Sequence, residues 1–364
     1  MALALEVLWL QVIEIPVPFG HAEVIHPSRR IQGHMSSTHE FLGLSASDIS
    51  ELLTIDLAIE SQRKAFRNLA SGEAILPERL LLNGDEDSVS FCYAARLDAT
   101  AGAVCKFGSV NPGNGNRGLP TISALVTVLD ELTGLPVAIM DGTSVTTIRT
   151  SAASAVAVEA LARPGSNRLA VIGSGVQAAA HVRAIARVLE LTDVAVWSTN
   201  TPACEDLVRT LNAEYDFSVV AANSAADAVN DADVITTCTS SIDPVLESSW
   251  VKDGATVISV GSFAPDRCEI PQDLVARASA VVIDHAGTAK EHAGPIVRAL
   301  ATGTLEAADL IELGDVLIGR KVARTNPDQV IYYNSVGIGI QDAAAAQAVL
   351  AAARITGQGQ RISL

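Results

Sequence analysis

Aromatic side chains are scarce in this chain: Phe, Trp and Tyr make up 4% of 364 residues, against 49% hydrophobic residues overall. A core built this way rests on Ala, Val, Ile and Leu, the residues of sheets packed under helices, and the length suffices for two domains. Basic residues are also short. With 25 Lys and Arg against 41 Asp and Glu, the formal net charge is −16, which argues against nucleic acid or an anionic membrane as a partner. Cys92, Cys105, Cys204, Cys238 and Cys268 are odd in number and form no CxxC. They read as reduced thiols of a cytoplasmic protein, not as a disulfide framework or a zinc site. The seven histidines show no HExxH or paired spacing, so no metal is expected. No apolar run reaches the ~20 residues of a bilayer span. The apolar start at 1–10 lacks the basic region and small-residue cleavage site of a signal peptide.

What the chain does have is LAVIGSGVQA at 169–178. An apolar, β-branched run enters a tight glycine turn and an alanine-rich helical pattern leaves it, which is the phosphate-binding turn of a dinucleotide fold. Gly173 permits the turn, Gly175 lets backbone approach a pyrophosphate, and Ala178 allows close helix–strand packing. Ser174, Val176 and Gln177 complete the turn, and the phosphates face the amides of the helix starting near Val176. A GxGxxA alone is weak evidence, because small-residue turns occur in many folds.

The surroundings strengthen it. Residues 1–40 carry three prolines and no periodicity, and read as an extension in which Met35 is an alternative start. From Phe41 a helix is expected after a cap at Ser47 and Asp48. Strands follow near 88–95, 103–107, 122–129 and 136–140, the last two joined by a turn at 131–134, giving an α+β block. Thr150 to Leu161 reads as a helix. Strands then alternate with helices near 168–172, 194–198, 217–221, 233–237, 256–260 and 280–284, the pattern of a doubly wound parallel sheet. A late strand at 329–333 is out of phase and is assigned to the first block; a helix at 341–353 ends the pattern. The expected fold is α/β: a Rossmann doubly wound parallel sheet (151–314) inserted in a discontinuous α+β domain (41–150 plus 315–364).

Several segments together resemble the ornithine cyclodeaminase/mu-crystallin family: AVCKF at 103–107, GLPT at 118–121, MDGT at 140–143, TIRTSA at 147–152, the glycine turn, VGSFAPD at 260–266 and NSVG at 334–337. The resemblance runs in order from about Phe41 to Ala353. It implies a substrate-binding and dimerisation domain around the Rossmann insertion, a nicotinamide cofactor and a homodimer. It also implies that Arg79, Lys106 and Arg149 bind a substrate α-carboxylate, a role that suits guanidinium and buried ammonium groups. Each has a plainer reading: a solvated arginine after Pro77, a lysine on the exposed face of an edge strand, and a surface charge opening a helix.

Position 263 separates the reactions within the family. Cyclodeaminases and alanine dehydrogenases carry an aspartate there for proton transfer; this chain has Phe263, as in the ketimine and pyrroline-2-carboxylate reductase branch. One departure is Cys268 before Glu269, where that branch has arginine. Asp266 and Glu269 read as helix-capping acids. A cyclic imine already holds its C=N bond, so hydride transfer needs position and an apolar wall more than an acid. Lys106 and Phe263 are therefore the expected catalytic residues.

For the cofactor, Ser198, Thr199 and Asn200 close the second strand of the alternation without the acid that selects NAD, so NADPH is favoured over NADH, although no arginine stands ready for a 2′-phosphate. Thr237, Thr239 and Gly337 are expected near the nicotinamide by resemblance. His285 and His292 read as structural or surface residues. The leading expectation is reduction of a small cyclic imino acid, Δ1-pyrroline-2-carboxylate before Δ1-piperideine-2-carboxylate. An amino-acid dehydrogenase, an ornithine cyclodeaminase and a non-catalytic NADPH-dependent ligand-binding protein stand as alternatives.

Overall fold

The computed structural model describes residues 39–363 except 86 and 87. The expected extension therefore lies outside the described residues up to Thr38, and Glu40 already opens a strand. The chain runs β1 (Glu40–Leu44), α1 (Ala46–Leu52), α2 (Ile55–Ser71), β2 (Leu80–Asn83), β3 (Val89–Ala95), β4 (Val104–Val110), β5 (Ile122–Leu129), β6 (Pro136–Asp141) and α3 (Gly142–Leu161). It continues through β7 (Arg168–Ile172), α4 (Val176–Ile185), β8 (Asp193–Trp197), α5 (Thr201–Glu214), β9 (Ser218–Ala221), α6 (Ala225–Val229), β10 (Val234–Thr237) and β11 (Thr256–Ser259). Then come α7 (Gln272–Arg277), β12 (Ala280–Ile283), α8 (Ala286–His292), α9 (Gly294–Ala301), β13 (Leu310–Glu312), α10 (Leu313–Leu317), β14 (Ile331–Asn334), α11 (Gly339–Thr356) and β15 (Gln360–Ser363).

The first sheet has the order β15-β1-β6-β5-β4-β3-β2. Strands β2 to β6 pair antiparallel in sequence order. In β5, Ala124, Val126 and Val128 point inward and are buried, while Leu125 is 52% exposed, the alternation of a sheet with one covered face. That cover is α3 and α11, which pack on β3, β4 and β5 and, with α2, on one another. The helical pattern after Phe41 is two helices, not one. Ser45, rather than Ser47, caps α1 in a reciprocal box with Asp48, and Thr54 caps α2, because each hydroxyl satisfies an otherwise orphaned first-turn amide.

The second sheet has the order β13-β12-β14-β11-β10-β7-β8-β9 and its pairs are all parallel. The expected Rossmann strands are present within a residue or two. One assignment is corrected: the late strand β14 lies between β11 and β12 in this sheet, not in the first domain. Its four residues are buried, as a parallel strand covered on both faces must be. It departs from the alternation because it returns to the centre of the sheet after the chain has reached the edge at β13.

Candidate active site

The β7–α4 turn forms as its sequence requires. Gly173 has φ +120°, and a Cβ there would stand 2.5 Å from the Cys238 carbonyl oxygen, so only glycine fits beside the end of β10. A Cβ on Gly175, by contrast, would meet nothing within 4 Å. That open space is the mouth of a cavity of about 990 Å3, lined by the turn from Gly173 to Gln177, by Ser198, Thr199 and Asn200, and by Thr239. The buried Gln177 Oε1 has no hydrogen-bond partner among the described residues. Exposed first-turn amides, a glycine with room beside it and an unused acceptor suit a dinucleotide pyrophosphate. Ser174 Oγ donates to Ser198 Oγ at 3.0 Å, tying the turn to the end of β8. Asn200 caps α5, accepting from Ala203 N at 3.2 Å.

Two expected cofactor contacts are corrected. Thr237 is fully buried, and its hydroxyl donates to Glu269 Oε2 at 2.9 Å, below the cavity floor. Gly337 does not line this cavity. Its amide donates to Asp284 at 2.7 Å, and at φ +83° a Cβ would lie 2.9 Å from Arg149 Nη1. Glycine is needed there for the arginine. Glu269, expected as a helix cap, instead joins two strand ends, accepting from Thr239 N, Thr239 Oγ1 and Gly261 N at 2.6–2.8 Å. Burial raises its carboxyl, and the Thr239, Thr237 and Gly261 donors oppose that.

A second cavity of about 550 Å3 adjoins the first, and both are lined by Val110, Phe263 and Arg267. Phe263 thus stands where the two meet, with the Arg267 guanidinium 5.0 Å from its ring centroid. Arg79, Tyr93 and His292 line the second cavity. Arg79 donates to the Tyr93 hydroxyl at 3.2 Å, and its buried Nε has no partner among the described residues. Burial lowers its affinity for its proton, and no carboxylate forms an ion pair with it among the described residues. His285 is structural, capping α8 through Thr288. His292 is not merely a surface residue: burial, then Arg79, pushes it down to about 4, so the cavity holds a neutral imidazole at physiological pH.

Lys106 and Arg149 lie deeper. Lys106 Nζ is 2.8 Å from Asp342 Oδ2, and Arg149 Nε is 3.0 Å from Asp342 Oδ1, with all three side chains at most 5% exposed. The plainer readings of both as surface charges are thereby removed. The Tyr93 ring lies 5.0 Å from Lys106 Nζ and 5.6 Å from Arg79 Cζ, between two cations whose attraction to its face is electrostatic. Of the three expected carboxylate ligands only Arg79 lines a cavity; Lys106 and Arg149 line neither and pair instead with Asp342, with the buried Asp284 also beside Arg149. Tyr93, Arg267, His292 and Asp342 were not singled out as site residues from sequence. Asp342 left a signal: an acid in the first turn of an otherwise apolar, alanine-rich helix demands a buried partner.

The ornithine cyclodeaminase/mu-crystallin family model matches residues 40–356. The chain belongs to this family. Among its relatives, the alanine dehydrogenase of Archaeoglobus fulgidus is 31% identical over 89% of this chain and 98% of its own. A Δ1-pyrroline-2-carboxylate reductase of Bacillus cereus is 28% identical over 88% of this chain and 99% of its own. The structure of Thermococcus litoralis Δ1-pyrroline-2-carboxylate reductase in complex with NADH and L-proline matches with a TM-score of 0.85 at 28% identity, over 88% of this chain and 100% of that one. Like these family members, the chain is a nicotinamide-dependent enzyme.

Proposed function

We propose that this family member reduces cyclic ketimine carboxylates, Δ1-pyrroline-2-carboxylate to L-proline first and Δ1-piperideine-2-carboxylate to L-pipecolate second, with NADPH preferred over NADH. The observation that carries the reading is Phe263 at the junction of the two cavities. No proton-transferring acid occupies that position, which disfavours ornithine deamination and amination of a 2-oxo acid.

A bound nicotinamide would supply hydride to the ring carbon. Arg79, with Lys106 and Arg149 behind Tyr93, holds the carboxylate, and the planar Phe263 side chain packs on the ring and excludes water. The ring nitrogen enters protonated as an iminium and leaves as the amine, so the chain need add no proton. Ser198, Thr199 and Asn200 present no carboxylate to a 2′-phosphate. The five cysteines are free, in keeping with a cytoplasmic enzyme. Leu80, Leu82, Phe107 and Leu125 are at least half exposed on the uncovered face of the first sheet, a surface suited to a second copy. We take the domain carrying it to bind substrate and to dimerise.

The test follows NADPH and NADH oxidation by absorbance with both imines and with pyruvate plus ammonia, and follows ammonia release from ornithine with NAD+ or NADP+, because that cyclisation leaves the cofactor unchanged. The fastest turnover is expected with a cyclic imine and NADPH. Ornithine releasing ammonia as the fastest reaction overturns the assignment. Ser198→Asp is expected to swing the NADPH-to-NADH ratio of kcat/KM at least ~10-fold toward NADH.

A further inference from the structure

We infer that Asp342 is a positioning residue that fixes the charge and direction of the carboxylate grip: one carboxylate, shared between Lys106 and Arg149, keeps the lysine protonated and both cations aimed. The inference rests on the proposed reading of the site and deepens it.

The geometry is a buried triad. Asp342 lies in the first turn of the 18-residue α11, where helix amides favour a negative charge. Its two oxygens face different cations: Oδ1 accepts from Arg149 Nε on α3 at 3.0 Å, while Oδ2 pairs with Lys106 Nζ on β4 by charge at 2.8 Å, outside hydrogen-bond geometry. The neighbouring Gln341 Oε1 accepts from Arg149 Nη1 at 3.1 Å and from the Ile338 amide at 2.9 Å, so the start of α11 locks the guanidinium in plane. Thr146 Oγ1 accepts from Lys106 at 3.2 Å. Two buried cations this close cannot both stay charged without a counter-ion. Three cations, counting Arg79, stand against Asp342 and the buried Asp284, which neighbours Arg149 and whose carboxyl is raised by burial; the substrate anion adds the remaining negative charge.

The groups facing Lys106 come from every side: Asp342 from α11, Arg149 from α3, the Tyr93 ring from β3, and Arg79 from the segment before β2. Burial lowers Lys106 to about 8; Asp342 holds it up, while Arg149 and Arg79 push it down. Removing the carboxylate therefore takes away the one charged group that favours the ammonium. This gives the opposite sign to the simple expectation that deleting a negative charge beside an anion site tightens anion binding.

The test uses the full-length enzyme and two readouts. The chain has five lysines, so 15Nζ-lysine NMR follows Lys106 without any substrate, its signal assigned by loss in Lys106→Arg. In Asp342→Asn, Lys106 is expected to titrate lower by about one pH unit or more. The KM for the imino acid should rise about tenfold at neutral pH, the alkaline limb of kcat/KM should move down with the titration, and Asp342→Glu should recover most of both. An unmoved titration, or a KM that falls, overturns the inference. If Asp342→Asn fails to fold, Arg149→Gln leaves the carboxylate to Lys106 alone and raises its titration; no change there is equally fatal. A wild-type enzyme that turns over no cyclic imine sinks the proposed substrate, while the NMR titration still decides the role of Asp342.

Discussion

At the residue scale, the proposed imine reduction turns on Phe263. Phe263 borders both cavities and carries Arg267 over its ring, an apolar wall with no carboxyl of its own. Phe263→Asp is expected to lower kcat/KM for the cyclic imine about 10-fold or more, since a second carboxylate repels the substrate anion and wets the ring pocket. Steady-state kinetics with NADPH checks this, and an undiminished rate removes Phe263 from the site. The sequence motif singled out position 263, and the structure places Phe263 at the border of both cavities. The triad of Lys106, Arg149 and Asp342 was readable only in part. A lysine in an apolar strand and an acid in an apolar helix each announce a missing partner. Nothing local says that residues more than a hundred and ninety positions apart, Arg149 and Asp342, supply it.

Elements add a second kind of constraint. Glu269 clamps the ends of β10 and β11 where they frame the nucleotide cavity, accepting from Thr237, Thr239 and Gly261. A glutamine presents an amide to donors that need an acceptor. Glu269→Gln is therefore expected to cost about 2 kcal/mol in stability, from the lost hydrogen bonds, measured by urea denaturation. His181 joins two helices: its ring contacts Ser154 of α3 at 2.9 Å and the Gln177 carbonyl at 2.7 Å. Burial pushes it down to about 4 from 6.5. The unfolded chain thus binds a proton that the folded chain refuses between those values, and stability falls as pH drops from about 6.5 toward 4. The loss reaches roughly 3 kcal/mol, and His181→Leu should flatten that part of the stability curve. Sequence reading found the long or doubly covered strands because their apolar runs are continuous. It passed over β1, β2, β13 and β15, strands of three to five residues at or next to sheet edges, too short to show a period.

On the scale of the whole molecule, the two faces of the first sheet differ. One is sealed by α3 and α11; the other shows Phe107 at 56% and Leu125 at 52% exposure, on adjacent strands. Substituting both by aspartate is expected to convert a dimer to a monomer in light scattering while leaving NADPH binding to the second sheet intact. A wild-type monomer, or a double variant that stays dimeric, refutes the assignment of that face. The two-sheet organisation was legible from the glycine turn and the alternation after it. The place of β14 was not, since strand order in space does not follow strand order in sequence.

That placement governs synthesis. As the polypeptide leaves the ribosome, β12 and β13 emerge before the strand that joins them to β11, so the parallel sheet stays in two pieces with a slot at its middle until Ile331–Asn334 arrives. A released chain ending just before Ile331 should remain protease-sensitive across its nucleotide half, and the full-length chain should resist.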